Sequence, residues 1–170
     1  MHIQKWFLGL AILLAAALPA AAQSAHADIM NQSGQKIGEA KFHQQKDGVS
    51  ISLSVSQIPP GTHGVHIHAA GQCLAPDFKT AGAHFNPDNK QHGAKNPAGP
   101  HNGDLGNILA NAEGKAKGSW VDPHVTLGDG PNSLFQQAGT SIVIHAQPDD
   151  ETTDPTGNSG SRFACGVIQK

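Results

Sequence analysis

The chain has no tyrosine, only two cysteines and a single arginine, Arg162, in 170 residues. Charge is sparse too: Asp, Glu, Lys and Arg make up 14% and the formal net charge is −2, which excludes the strongly basic balance of a nucleic-acid-binding module. No segment beyond residue 22 is apolar enough to span a bilayer, and no convincing amphipathic helical period is found anywhere. What the chain does have is 20 glycines, 11 prolines and 11 histidines. The first two favour short strands joined by turns, and the third calls for an explanation.

At the amino end, His2 and Lys5 precede an apolar run from Trp6 to Leu18, which is short for a membrane span and is followed by Pro19-Ala20-Ala21-Ala22. Small residues after such a run are the mark of a signal-peptidase site, so residues 1–22 are expected to be a cleaved secretory signal. Residues 23–170 are then one domain, exported and free of the membrane, and losing Lys5 takes its net charge to −3. Export places Cys73 and Cys165 in an oxidising compartment, where they have only each other as partners and lack any CxxC spacing for a soft metal. A disulfide closing the 92-residue separation contributes up to about 4–5 kcal/mol.

Val49, Ile51, Leu53 and Val55 alternate with Ser50, Ser52, Ser54 and Ser56, the period-two pattern of a strand with one buried face. Shorter strands are expected at 28–31 and 37–43, separated by the turn signals Gln32-Ser33-Gly34-Gln35 and Lys46-Asp47-Gly48, and further strands at 63–69, 105–110, 115–121, 141–146 and 163–168. Eight short strands without helices point to an antiparallel sandwich or barrel. Residues 71–103 break the pattern, because Gly and Pro punctuate them too densely for regular structure. So long an irregular stretch needs metal ligation or a disulfide in place of a core of its own. A second long loop, 146–161, carries Asp149, Asp150, Glu151 and Asp154 and no lysine.

His66 and His68 stand two apart on an expected strand, so their imidazoles leave the same face and can share one ion, whereas His63 faces the other way with Val65 and Ile67. His84, His92, His101 and Asp104 lie in or at the end of the irregular loop, and His145 ends another strand. These seven candidates are one short of the eight positions that two four-coordinate ions require. Either one site stays open, or one imidazole bridges two metals through its two nitrogens. His26, His43 and His124 have no identifiable partners and are expected to be exposed, while Phe42, Phe85, Trp120 and Phe163 are assigned to packing.

The strings Gly64-Val65-His66-Ile67-His68, Gly82-Ala83-His84-Phe85-Asn86-Pro87, Lys90-Gln91-His92-Gly93, His101-Asn102-Gly103-Asp104-Leu105-Gly106-Asn107, Ile144-His145 and Gly160-Ser161-Arg162-Phe163-Ala164-Cys165-Gly166-Val167-Ile168 resemble, in order and spacing, those of copper/zinc superoxide dismutases of the exported bacterial type. The resemblance runs from about residue 25 to the end and implies an all-β, eight-stranded Greek-key flattened barrel, an immunoglobulin-like sandwich with two long functional loops. It implies a periplasmic enzyme, monomer or homodimer, with one copper and one zinc per subunit, that dismutes superoxide to oxygen and hydrogen peroxide. By the same resemblance His66, His68, His84 and His145 match copper ligands, and His84, His92, His101 and Asp104 match zinc ligands, with His84 as the shared imidazolate. Asp149 matches a carboxylate that links one histidine of each metal, and Arg162 matches an anion-guiding arginine. Lys79 is a weaker candidate for long-range steering; the lysine that animal relatives carry in the second long loop has no counterpart here. The competing reading is a copper-buffering module on the same barrel, since fold alone does not decide function. It leaves Arg162 unexplained, and a copper-only variant leaves His92, His101 and Asp104 unexplained.

Overall fold

The computed structural model describes residues 23–170, so the expected leader lies outside the described residues. Eight strands follow in order: β1 (Ser24–Asn31), β2 (Lys36–Gln45), β3 (Gly48–Val55), β4 (Gly61–His68), β5 (Asp104–Ala110), β6 (Ala116–Asp122), β7 (Ser141–His145) and β8 (Arg162–Val167). All eight expected strands are present. The largest boundary difference is in β1, which starts at Ser24 rather than residue 28 because Ala25 and Ala27 continue its buried face with side chains too small to stand out in a hydropathy pattern. Within the first long loop one short 3-10 turn, Lys79–Ala81, interrupts the irregular backbone.

The strands form one antiparallel sheet ordered β5-β4-β7-β8-β1-β2-β3-β6. β1, β2 and β3 make the expected meander, the chain crosses over for β4 and β5, returns to set β6 beside β3, and crosses again for β7 and β8. The end strands β5 and β6 pack together without a hydrogen-bonded ladder, so the barrel is nearly closed. Alternation in β3 is as the sequence requires: Val49, Ile51, Leu53 and Val55 are buried, and their serine neighbours face outward. Against them pack Ile29, Phe42, Val65, Ile67, Ile142 and Ile144.

β4 and β7 differ from the other strands because both of their faces are buried. Their inner face belongs to the barrel core. On the outer face lie His66, His68 and Val143, covered by the long loops 69–103 and 146–161. Under the first loop Val143, Phe78, Ala81 and Cys165 make a small second core, closed by the Cys73–Cys165 disulfide. The expected pairing is therefore present, and it ties the loop to β8. Main-chain bonds hold the loop to β4: Phe85 N–H donates to Ile67 O at 2.8 Å and Ile67 N–H to Gly103 O at 2.8 Å. This is how an irregular segment acquires fixed side-chain positions without regular structure.

Candidate metal centre

On the covered face of β4, His66 and His68 leave the same side and meet His84 from the first loop and His145 from the end of β7. One nitrogen from each of the four buried rings lies within 4.8 Å of the others. Hydrogen bonding decides which nitrogen faces inward. His66 donates from Nε2 to Asp149 Oδ2 at 2.7 Å, which leaves Nδ1 buried with no partner. His68 and His145 donate from Nδ1 to Gly82 O at 3.0 Å and Gly160 O at 3.3 Å, and their Nε2 atoms face each other at 3.4 Å. His84 Nε2 is also buried and unpartnered.

A second cluster shares His84. Asp104 Oδ2 accepts the main-chain N–H groups of Gly93 and His101, each at 2.9 Å, which turns Oδ1 toward three imidazoles. Nδ1 of His84, His92 and His101 lie 3.1, 3.1 and 3.3 Å from that oxygen, and His101 Nδ1 is 3.4 Å from His84 Nδ1. The corners of a tetrahedron with metal bonds of about 2.0 Å stand about 3.3 Å apart, and these four separations, Asp104 Oδ1 to each Nδ1 and His84 Nδ1 to His101 Nδ1, are close to that value. By mutual ligand spacing alone the group is His66, His84, His92 and Asp104, with His66 in the place of His101. The Nε2 of His66 is held by Asp149, however, and its one free nitrogen belongs to the first cluster, whereas His101 offers Nδ1 directly to the second.

Asp149 joins the two clusters. Its Oδ2 accepts from His66 Nε2 and its Oδ1 from His92 Nε2, at 2.7 and 2.9 Å, so one carboxylate orients a ring in each. Asn107 holds the backbone of Asp149 from both sides, accepting its N–H and donating to its C=O, each at 2.8 Å. Gly157, at φ 61°, leaves no room for a Cβ beside Asp149 and His92, so this turn requires glycine. Sequence reasoning did not find Asn107 or Gly157, because their contacts are long-range and neither residue type signals a ligand.

Burial pushes the imidazole of His84 down to about 4, that of His145 down to about 3 and that of His68 well below its ordinary value, so these rings are neutral at pH 7, as metal ligands must be. Burial also pulls His92 down, but its hydrogen bonds to Asp104 and Asp149 prevail and raise it to about 9. For Asp104 burial acts upward, and hydrogen bonds from His101, His84 and His92 overcome it, holding the carboxyl far below the usual carboxylate range. Two buried ring nitrogens without partners, His66 Nδ1 and His84 Nε2, leave lone pairs that water does not reach, and the anionic Asp104 stands beside the same cluster. Two cations shared through His84 fit this donor set.

A cavity of about 420 Å³ opens onto His68, His84 and His145, with Arg162 and Lys79 on its wall. Arg162 donates from Nη1 to Phe78 O at 2.7 Å and from Nη2 to Gly82 O at 2.6 Å, which fixes the guanidinium and leaves other N–H groups for an anion. The acids of the 146–161 loop do not line this cavity, whose wall there is Pro155, Thr156 and Gly160. Asp150 is turned to Thr153 and Asn158, and Glu151 pairs with Lys95. His63 points away as its parity requires, its ring nitrogens each 2.8 Å from a carbonyl oxygen, those of His145 and Pro59. His26, His43 and His124 are exposed, Phe42 and Phe85 are buried, and Trp120 and Phe163 pack against the core.

A sequence profile described as copper/zinc superoxide dismutase matches residues 36–168. The chain belongs to the copper/zinc superoxide dismutase family. A relative from Aquifex aeolicus, superoxide dismutase [Cu-Zn] 1, is 50% identical over 146 residues, which is 85% of this chain and 86% of that protein. Among solved structures, a superoxide dismutase-like protein from Bacillus subtilis, in a double mutant carrying two new histidines, superposes with a TM-score of 0.82 at 39% identity, covering 85% of this chain and 97% of that one. The Cu/Zn superoxide dismutase from Brucella abortus superposes at 0.71 with 27% identity, covering 86% and 100%. As a member of this family the chain is an enzyme that acts on superoxide with copper and zinc as its metals.

Proposed function

We propose that His66 Nδ1 and the Nε2 atoms of His68, His84 and His145 hold the copper of this dismutase, and that Nδ1 of His84, His92 and His101 with Asp104 Oδ1 hold its zinc. His84 then serves both ions as an imidazolate. The observation that carries this reading is the pair of environments around one ring: His84 Nε2 is buried and unpartnered among the first three histidines, and its Nδ1 is 3.1 Å from Asp104. An all-imidazole site suits copper in either oxidation state, and an imidazole-carboxylate site suits zinc.

The chemistry that copper supplies when bound is one-electron exchange, by which one superoxide is oxidised to oxygen and another is reduced to peroxide. The chain's own groups do the rest. Arg162 offers a fixed positive charge at the cavity wall, drawing the small anion in and orienting it. His84 lines the same cavity and its Nε2 can hold one proton for the forming peroxide, while Asp104 and its neighbours keep Nδ1 engaged on the other side of the ring. Asp149 fixes the rings of His66 and His92 so that both clusters keep their geometry through the cycle.

The apolar run and small-residue site at 6–22, together with the Cys73–Cys165 disulfide, support a periplasmic place of work, where the enzyme removes superoxide outside the cytoplasm. The test of the catalytic reading is direct observation of superoxide decay by the copper- and zinc-loaded protein across ionic strengths. The reading expects a second-order rate near the diffusional ceiling of about 10⁸–10⁹ M⁻¹s⁻¹, which superoxide dismutases are among the enzymes to reach, and a fall in rate with added salt. A fully metallated protein without turnover would instead be a copper-binding module.

A further inference from the structure

Asp149 is not the only carboxylate of the second long loop that reaches the histidines of the first. Asp154 Oδ1 accepts the main-chain N–H of His92 at 2.7 Å, and the same oxygen stands 3.6 Å from His101 Nε2. His101 is buried, and its other nitrogen, Nδ1, is the one turned to Asp104 and His84. A ring that gives Nδ1 to a metal carries its proton on Nε2, and that N–H needs an acceptor to fix the ring plane and raise the basicity of the ligand atom. The remaining acids of the loop are committed elsewhere, Asp150 to Thr153 and Asn158 and Glu151 to Lys95.

We propose that Asp154 is a positioning residue for the zinc-facing side of the site, its single Oδ1 atom holding the His92 backbone and the His101 ring in one register across the two long loops. The inference rests on the reading above that His92 and His101 hold zinc. At 3.6 Å the His101 contact is longer than a hydrogen bond, and an approach of about 0.5 Å by this half-exposed side chain closes it. Asp149 orients one ring in each cluster, whereas Asp154 acts on two histidines of the same cluster. The consequence is a graded one: losing Asp154 weakens zinc binding and leaves the His66, His68 and His145 side of the site unchanged.

Three readouts other than turnover test this on the full chain, stripped of metal and reconstituted. In Asp154→Ala, zinc affinity measured by competition with a chromophoric chelator falls about 10–100-fold, and the visible bands of cobalt bound in the zinc position shift. In Asp154→Asn, which keeps an oxygen at Oδ1 but not the charge, affinity recovers to within about threefold of the wild type, because hydrogen bonding carries the larger part of the effect. Proton NMR of the zinc-loaded protein resolves the His101 Nε2–H, which moves upfield in Asp154→Asn as its acceptor loses its charge. Zinc affinity of Asp154→Ala within about twofold of wild type, or an unmoved His101 resonance in Asp154→Asn, overturns the inference. The control is His101→Ala: unchanged zinc affinity there removes the zinc reading itself, while lost affinity there with none lost in Asp154→Ala removes the role of Asp154 alone.

Discussion

The two halves of this barrel solve opposite problems. The β1-β2-β3-β6 half has one wet face and one dry face, and its order is that of ordinary hydrophobic burial: Ile29, Phe42, Ile51 and Leu53 inside, serines and lysines outside. The β4-β7 half is buried on both faces, and its second face is lined by imidazoles rather than by aliphatic side chains. Burying polar rings is costly unless every nitrogen is used, and here most are used by Asp149, Asp104, Gly82 and Gly160. Among those left without a hydrogen-bond partner are His66 Nδ1 and His84 Nε2, which the reading proposed above gives to copper. One half is held by its own packing, and on the reading proposed above the other draws on metals and the Cys73–Cys165 disulfide for its order.

The sharpest way to break that contrast is to remove both metals. Hydrogen exchange of the stripped protein is expected to accelerate about a hundredfold or more in residues 69–103 and 146–161, with β1, β2 and β3 little changed. Uniform loss of protection would mean that the metals support the whole barrel. Next in size is Phe42→Ala, which empties a fully buried position in the metal-independent half. Chemical denaturation should show a loss of about 3–5 kcal/mol, similar with and without metal, while the metal-loaded spectrum stays as in the wild type.

Asp122 ends β6, far in sequence from the ligands, and burial pushes its carboxyl up to about 6 even though it accepts the His124 N–H at 2.9 Å. The folded carboxyl thus holds its proton where the unfolded one, near 3.8, has lost it. Stability from this group rises as pH falls from about 6 toward 4, and above 6 the fold carries the cost of a buried charge. Asp122→Asn is expected to raise the unfolding free energy by about 1–3 kcal/mol at neutral pH and to change it little below about pH 4. An equal gain at both pH values would contradict the assignment. The smallest effect belongs to Asp77→Asn, which frees Lys79 at the cavity mouth from an exposed ion pair of 3.0 Å. Superoxide capture should rise by up to about twofold at low ionic strength and converge with the wild type at high salt. A rise that persists in high salt would point away from steering.

The ordered half was the more legible in the sequence. Alternation in β3 identifies its strand and its buried face at once, and β1 is the strand cut most, since alanines mark a core face weakly. The loop half is legible in its ligand types but not in its wiring. Parity puts His66 and His68 on one face and excludes His63, and counting seven ligands for eight positions leaves two solutions, an open site or a shared ring. His84, with its two nitrogens in two clusters, favours the second. Asn107, Gly157 and Asp154 were beyond reach because Asn107 meets Asp149 from 42 positions away, Asp154 meets His92 from 62 and Gly157 sits against His92 from 65, and no local pattern encodes such contacts.

The central claim is that His84 belongs to two ions at once. Anomalous diffraction from crystals of the metal-loaded protein, collected on both sides of the copper and zinc absorption edges, tests it most directly. The account predicts a copper peak within about 2.2 Å of His84 Nε2 and a zinc peak within the same distance of His84 Nδ1, the latter completed by His92, His101 and Asp104. A single ion, a zinc site built without His84, or the two metals in exchanged positions would contradict it.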